Sequence, residues 1–444
     1  MLPTSSPISR PAQPSPPVSV YDPTRPLPVQ AAHFRSNEQL RDHLFSLQRE
    51  FPQLVKVEDI GDSTETHNGT ARRDLLAVRI TAGVNEQQRP LHKPKLLLVG
   101  GIHPREAANP EIIVRSLEEL VRGYGIDPVA THLLQTREFV AVPIANPDGH
   151  AAVEQGFATG NGHLIFQRKN SSGLGGVDLN RNFDLHWGTV GGSRDPANNN
   201  YAGAGPASEH EVQALQSFIK RERPNFYLDL HSRGEIVLYP WGHTATPPRD
   251  AAGLQAIASQ LTLRNGYKTS SSHEQRPDSG TSKDWVYGTL GIPAFTLETG
   301  TDYFQPGEQF AQSMSRNRVA LRYAAAIADA PFEHAFAPST DSVSVDSSSG
   351  QVQATMRSLP TGAAIIGAEL VSDPNARPGS GIAMQALDGA FGGVQELVQA
   401  ALPAMSTAAP PQPATTRELL YVRGQAADGS WGPLTAAWRK LTPA

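Results

Sequence analysis

The chain has 444 residues, no cysteine, 38 Lys+Arg against 43 Asp+Glu (formal net charge −5), and 39% hydrophobic with 18% charged residues. That balance describes a globular chain with material for more than one core, and the missing cysteines exclude disulfide and thiolate chemistry. No basic run marks a nucleic-acid or anionic-membrane partner, and no apolar stretch reaches the ~20 residues of a membrane helix.

Residues 1–30, opening "MLPTSSPISRPAQPSPPVSV", are rich in Pro and Ser and lack the apolar centre of a secretory signal, which predicts a disordered leader. "NEQLRDHLFSLQREFPQLV" then spaces its apolar residues as an amphipathic helix that stops at "FPQ". "VKVEDIG" and "RDLLAVRIT" read as a hairpin-like pair of strands, followed by the strand "PKLLLVGG", the helix "PEIIVRSLEELVRGYG" and the strand "REFVAVPIAN". Strand, helix, strand is the rhythm of a parallel sheet. A Gly/Asn-rich stretch from about 148 to 207 is expected to be irregular. "SEHEVQALQSFIKRERP" reads as a helix with Ser208 as N-cap and Glu211 completing a capping box, and it leads into the buried strand "NFYLDLHS". A helix closed by Gly266, the strand "IPAFTLETG" and a long helix from "EQFAQSM" complete an α/β domain over residues 31–336. The expected fold is α/β, a mixed, largely parallel twisted sheet flanked by helices. At "APSTDSVSVDSSSGQV" the composition turns Ser/Asp-rich, as in a linker. Residues 337–444 are expected to hold that linker and a small all-β sandwich, with a turn at Asp428 and Gly429 and a long exposed loop at "MSTAAPPQPATT".

Three strands end in the same fashion: "LLLVGGIHPRE" yields His103 and Glu106, "FYLDLHS" yields His231, and "PAFTLETG" yields Glu298. Ligands of open α/β sheets bind beyond the carboxyl ends of the strands. Two histidines and a carboxylate form a favoured ligand set for a catalytic zinc, with one coordination position left for water. Glu298 is then placed to act as general base on that water. In "GGVDLNRNFD", Asn180 and Arg181 suit the free C-terminus of a peptide, because the guanidinium fork matches a carboxylate. Arg168, in "FQRKN", is a cation for the oxyanion formed when water attacks the peptide carbonyl.

Over roughly residues 30 to 335 these motifs resemble the zinc carboxypeptidases of the carboxypeptidase A type. The resemblance implies one Zn²⁺ per catalytic domain, held by His103, Glu106 and His231, with Glu298 as general base. Phe166-Gln167-Arg168-Lys169 matches the family's oxyanion arginine and Asn180-Arg181-Asn182-Phe183 its terminal-carboxylate clamp. Asp178 falls where the family keeps a carboxylate behind the first histidine, and Arg105 and Ser232 match positions lining the subsites before the scissile bond. The C-terminal segment "LYVRGQAADGSWGP" resembles the immunoglobulin- or fibronectin-like modules of bacterial secreted hydrolases, which implies a secreted or periplasmic protein. With no signal in the leader, export is expected by another route or from a longer chain. No folded inhibitory prodomain is expected ahead of residue 35.

Two positions depart from the family. Its mobile tyrosine is absent, with Arg276 at the corresponding distance before "GTSKDW". Lys283, where the family floors the pocket for the terminal side chain, implies a preference for acidic C-terminal residues or a substrate with an additional carboxylate, the other reading being that it turns aside to pair with Asp284. The chain therefore reads as a monomeric zinc metallocarboxypeptidase acting on peptide or protein C-termini. The alternatives are a murein-peptide hydrolase of the same fold and, in another class, a non-catalytic zinc- or peptide-binding surface protein.

Overall fold

The computed structural model describes residues 34–86, 93–173, 175–402 and 417–441. The leader expected to be disordered and the loop expected at "MSTAAPPQPATT" lie outside them. The first 300 described residues are organised by an eight-stranded sheet of β1 (Val55–Asp62), β2 (Asp74–Ile80), β3 (Lys95–Val99), β4 (Glu138–Val142), β5 (Phe226–His231), β6 (Ile236–Tyr239), β7 (Lys268–Ser271) and β8 (Ala294–Glu298), in the order β1-β2-β4-β3-β5-β8-β6-β7. β4, β3, β5 and β8 run parallel, whereas β1 with β2, β2 with β4, and β6 with β8 are antiparallel. The parallel centre explains the unbroken apolar runs: Leu96–Val99 and Phe226–Leu228 are 0–1% exposed because helices cover both faces of such a sheet. The mixed, largely parallel sheet and the hairpin-like opening pair agree with the sequence reading.

Helices occupy Asn37–Glu50, Ala108–Gly123, His210–Glu222, Ala251–Asn265 and Glu308–Ala326, as their spacing predicts. Gly266 closes the fourth with φ 72°. Three local readings fail. The stretch expected to be irregular opens with a helix, Pro147–Thr159, whose start is set by the Asn146 side chain accepting from the Gly149 amide and by proline in the first turn. Ser208 does not cap the helix at His210–Glu222: Glu209 holds that place, and the Ser208 hydroxyl donates to Glu209 instead. Glu211 completes no capping box, because Thr64 donates to it through both its amide (2.9 Å) and its hydroxyl (3.0 Å).

The C-terminal residues form two four-stranded antiparallel sheets from β9 (Ser339–Asp346), β10 (Gln351–Arg357), β11 (Ile365–Val371), β12 (Ile382–Ala383), β13 (Gln385–Ala386), β14 (Gln395–Ala401), β15 (Arg417–Ala426) and β16 (Thr435–Lys440). Their orders are β13-β14-β10-β9 and β12-β11-β15-β16, which makes the small all-β sandwich. The Ser/Asp-rich stretch read as a linker is β9 and its turn into β10; Ser342, Ser344 and Asp346 face outward while Val343 and Val345 pack on the sandwich core. β15 and β16 flank the turn at Asp428 and Gly429 as expected. The sandwich docks where the helix Ala108–Gly123 ends: Trp438 Nε1 donates to the Ile126 carbonyl at 2.7 Å, and the His132 and Tyr421 rings lie 4.9 Å apart. That 16-residue helix spans about 24 Å, so the module sits a helix length from the strand tips at its other end. No helix among the described residues is long and apolar enough to cross a membrane.

Candidate metal centre and substrate cavity

Parallel pairing carries β3, β5 and β8 to one edge, where His231 and Glu298, the last residues of β5 and β8, are partners in register. His103 needs a sharp exit from β3. Gly101 supplies it with φ +61°, and a Cβ there would stand 3.0 Å from the Ile144 Cα; at Gly100 a Cβ would meet Ile113 and the Pro143 carbonyl. The chain turns back over β5 and starts the helix at Ala108, with Glu106 just ahead of it. His103 and Glu106 are three apart because one turn of chain must present both to the same point.

The donor atoms converge. His103 Nδ1 lies 2.9 Å from Glu106 Oε1, and His231 Nδ1 lies 3.0 Å from His103 Nδ1 and 3.1 Å from Glu106 Oε2. Ligands of a tetrahedral zinc sit about 3.3 Å from one another, so the three residues fit that ion closely, and all are buried. The electrostatics agree. Burial opposes charge on His231, yet the Glu106 and Asp229 carboxylates outweigh it and raise its pKa well above the ordinary value. A site that holds a proton so firmly favours positive charge, which a divalent cation supplies. The Glu106 carboxyl is held below its usual range, since both histidines overcome the cost of burying its charge. The Ser232 amide donates to Glu106 Oε2 at 3.1 Å and fixes the plane of the carboxylate.

Each histidine is backed by an aspartate. Asp178 Oδ1 lies 3.1 Å from His103 Nε2, while Asp178 Oδ2 accepts from Arg168 Nε at 2.9 Å. Asp178 also caps the short turn Leu179–Arg181, accepting from the Asn180 amide at 3.0 Å. One carboxylate thus positions a metal ligand, Arg168 and the Asn180–Arg181 pair. Behind His231 stands Asp229, whose Oδ2 is 3.7 Å from His231 Nε2. Asn180 faces the same ring nitrogen through its Nδ2 at 3.3 Å, because its Oδ1 accepts from the Ser282 amide. The Asp229 carboxylate stands behind the ring and, with Glu106, favours positive charge on it, while Nδ1 is the nitrogen that faces the other donors. The sequence reading missed Asp229, although strand alternation in "DLH" puts it on the same face as His231.

A cavity of about 610 Å³ opens over these groups, and Arg105, Arg168, Asn180, Arg181, Ser232, Arg276 and Glu298 all line it. Arg181 Nη1 donates to the Asn180 carbonyl and Nη2 pairs with Asp278 at 3.1 Å, while its Nε has no hydrogen-bond partner among the described residues. Desolvation pushes the Glu298 carboxyl up to about 7; His231 pulls it down, and Glu106 and Asp229 push it further up. Arg276 stands on the wall without a side-chain hydrogen bond or ion pair to any described residue, and Arg181, as a like charge, lowers its pKa. Lys283 is the residue the structure removes from the site. It is 2% exposed, is not on the cavity wall, and its ammonium pairs with Asp284. A buried cation takes the nearest carboxylate, and for Lys283 that is the next residue in the chain. Asp278, unremarked in the sequence, faces the cavity beside Arg181.

Residues 40–320 match the model of the zinc carboxypeptidase family. The chain is 30% identical to rat (Rattus norvegicus) carboxypeptidase A2 over 281 residues, covering 58% of this chain and 66% of the rat protein. It is also 30% identical to carboxypeptidase B of Astacus astacus over 279 residues, covering 60% of this chain and 86% of that one. Carboxypeptidase A of Helicoverpa armigera superimposes with a TM-score of 0.56 at 26% identity, over 67% of this chain and 75% of its own. The family match ends before the sandwich module begins. With its donor triad, the match over more than half its length makes the chain a member of the zinc carboxypeptidase family.

Proposed function

We propose that the protein hydrolyses the last peptide bond of peptides or proteins. The carrying observation is the register pairing of His231 with Glu298: it sets a carboxylate of raised pKa beside a buried His-Glu-His donor set, in a cavity whose wall carries Arg181. Zinc, when bound by His103, Glu106 and His231, acts as a Lewis acid that polarises the substrate carbonyl and acidifies water. The protein's own groups do the rest. Asn180 and Arg181 hold the terminal carboxylate, which takes over from Asp278 as partner of the guanidinium. A Glu298 carboxylate oxygen takes one proton from the attacking water as its oxygen bonds to the carbonyl carbon. Arg168, kept in place by Asp178, faces the oxyanion. As the carbon–nitrogen bond breaks, Glu298 returns the proton to the leaving amine, and the shortened peptide with its new carboxylate and the freed C-terminal amino acid leave the cavity.

Free and amidated forms of one peptide test the clamp. Arg181→Ala lowers kcat/KM for the free-acid peptide by about a hundredfold and closes most of its gap to the amide, read by product analysis in mass spectrometry. An undiminished gap ends the assigned role.

The preference for acidic C-terminal residues belongs to the same proposal, now supported by Arg276 rather than Lys283. Two cations at Arg181 and Arg276 with one carboxylate between them, Asp278, leave room for the second negative charge of a terminal Glu or Asp. A peptide ending in Glu is then cut faster than its Gln analogue, and Arg276→Gln brings the two within about threefold. Equal rates in the unmodified enzyme refute the preference and leave the hydrolysis untouched.

A further inference from the structure

A second cationic group lines the cavity with no residue in common with the Arg181 clamp. The Arg105 guanidinium lies 4.7 Å from the centre of the Tyr303 ring, and the Arg233 guanidinium lies 5.5 Å from the same centre. All three residues, with Ser232, are on the cavity wall. Arg105 is 4% exposed, and its Nε and Nη1 have no hydrogen-bond partner among the described residues.

A buried guanidinium without a carboxylate is costly, and a ring face compensates only part of that cost. The acids nearby are already engaged. Glu106 belongs to the metal donor set, Asp178 serves His103 and Arg168, and Glu235 on the rim pairs with Arg316 at 3.0 Å. Arg233 is exposed and makes no ion pair with a described residue. Two arginines thus share one aromatic platform inside the cavity, with donors unspent and no carboxylate paired to either among the described residues.

We infer that Arg105, Tyr303 and Arg233 form a second anion-recognition site, which takes an acidic side chain of the substrate at one of the two positions preceding its last residue. The assignment of direction rests on the proposed hydrolysis: with the terminal carboxylate at Arg181 and the scissile bond at the metal, only upstream residues remain to meet a group separate from Arg181. The ligand is a carboxylate side chain, selected by two charge-assisted donor sets against a neutral amide.

Peptides that differ only in Glu or Gln at those positions test it. The unmodified enzyme prefers Glu by about tenfold or more in kcat/KM, mostly through KM. Arg233→Gln brings the ratio close to one, and Arg233→Glu reverses it in favour of Lys at the same position. A ratio near one in the unmodified enzyme, or a ratio unmoved by either Arg233 variant, overturns the site. Calorimetric titration of the same peptides onto the Glu298→Gln protein reads the ratio as dissociation constants. If no peptide is cut yet Glu still binds tighter than Gln, the hydrolytic reading fails and the anion site stands.

Discussion

Substituting Glu298 by glutamine lowers kcat/KM by about a thousandfold while the protein keeps its zinc. Glutamine has the shape of the side chain it replaces, and none of the three donor residues is touched, so the ion's surroundings persist. What is lost is the oxygen that accepts a proton. The pH profile separates this cause from a packing defect. Desolvation raises the Glu298 carboxyl to about 7, against the pull of His231 and with the push of Glu106 and Asp229. A bound divalent cation adds a downward pull, so the working group titrates on the acid side of neutrality. A general base acts only when ionised; kcat/KM therefore falls about tenfold per pH unit below that pKa and is flat above it. The glutamine variant has no group to titrate there and loses this limb. Steady-state hydrolysis across pH, with zinc measured by elemental mass spectrometry, checks both halves. A variant that retains a tenth of the activity, or the same acid limb, removes Glu298 from the base's role.

The parts of this site that were legible in the sequence are those written by local rules. A run such as "KLLLV" fits only a strand buried on both faces, and Gly-Gly after it signals a turn too tight for a side chain, so His103 and Glu106 were readable as a strand-end pair. His231 and Glu298 followed from the same logic, because parallel neighbours must end together. What escaped depends on contacts that chain order does not reveal. For Lys283 the sequence leaves two directions open, the substrate pocket or its neighbour Asp284; Asp284 holds it, and that choice is set by packing around residues 0–5% exposed. Ser208 and Glu211 form a capping pattern that loses to Thr64, a residue 147 positions away. Asp229 was visible by alternation, but its meaning required knowing that the fold sets its carboxylate behind the His231 ring. Tyr303 and Arg233 meet only through the fold.

Removal of the second imidazole is the more drastic change. His231→Ala weakens zinc binding by well over a hundredfold, since losing an outer partner of a ligand already costs 10–100-fold and here a ligand itself disappears. Two donors remain, at the end of a buried Glu106 whose depressed pKa depends on both histidines. Without metal, His231 answers Glu106 by holding a proton, because Glu106 and Asp229 together stabilise positive charge at its ring. The alanine variant has neither proton nor ion at that point, so Glu106, Asp229 and Glu298 are left close together with less compensation. Zinc added to the metal-free unmodified protein raises its melting temperature, because an ion that binds only the folded state stabilises it by mass action; the variant shows little response at the same concentration. Chelator competition gives the affinity and calorimetry the melting shift, so neither reading depends on turnover. If the alanine protein binds zinc as tightly as its parent, the ion lies elsewhere and the donor set of His103, Glu106 and His231 is not its site.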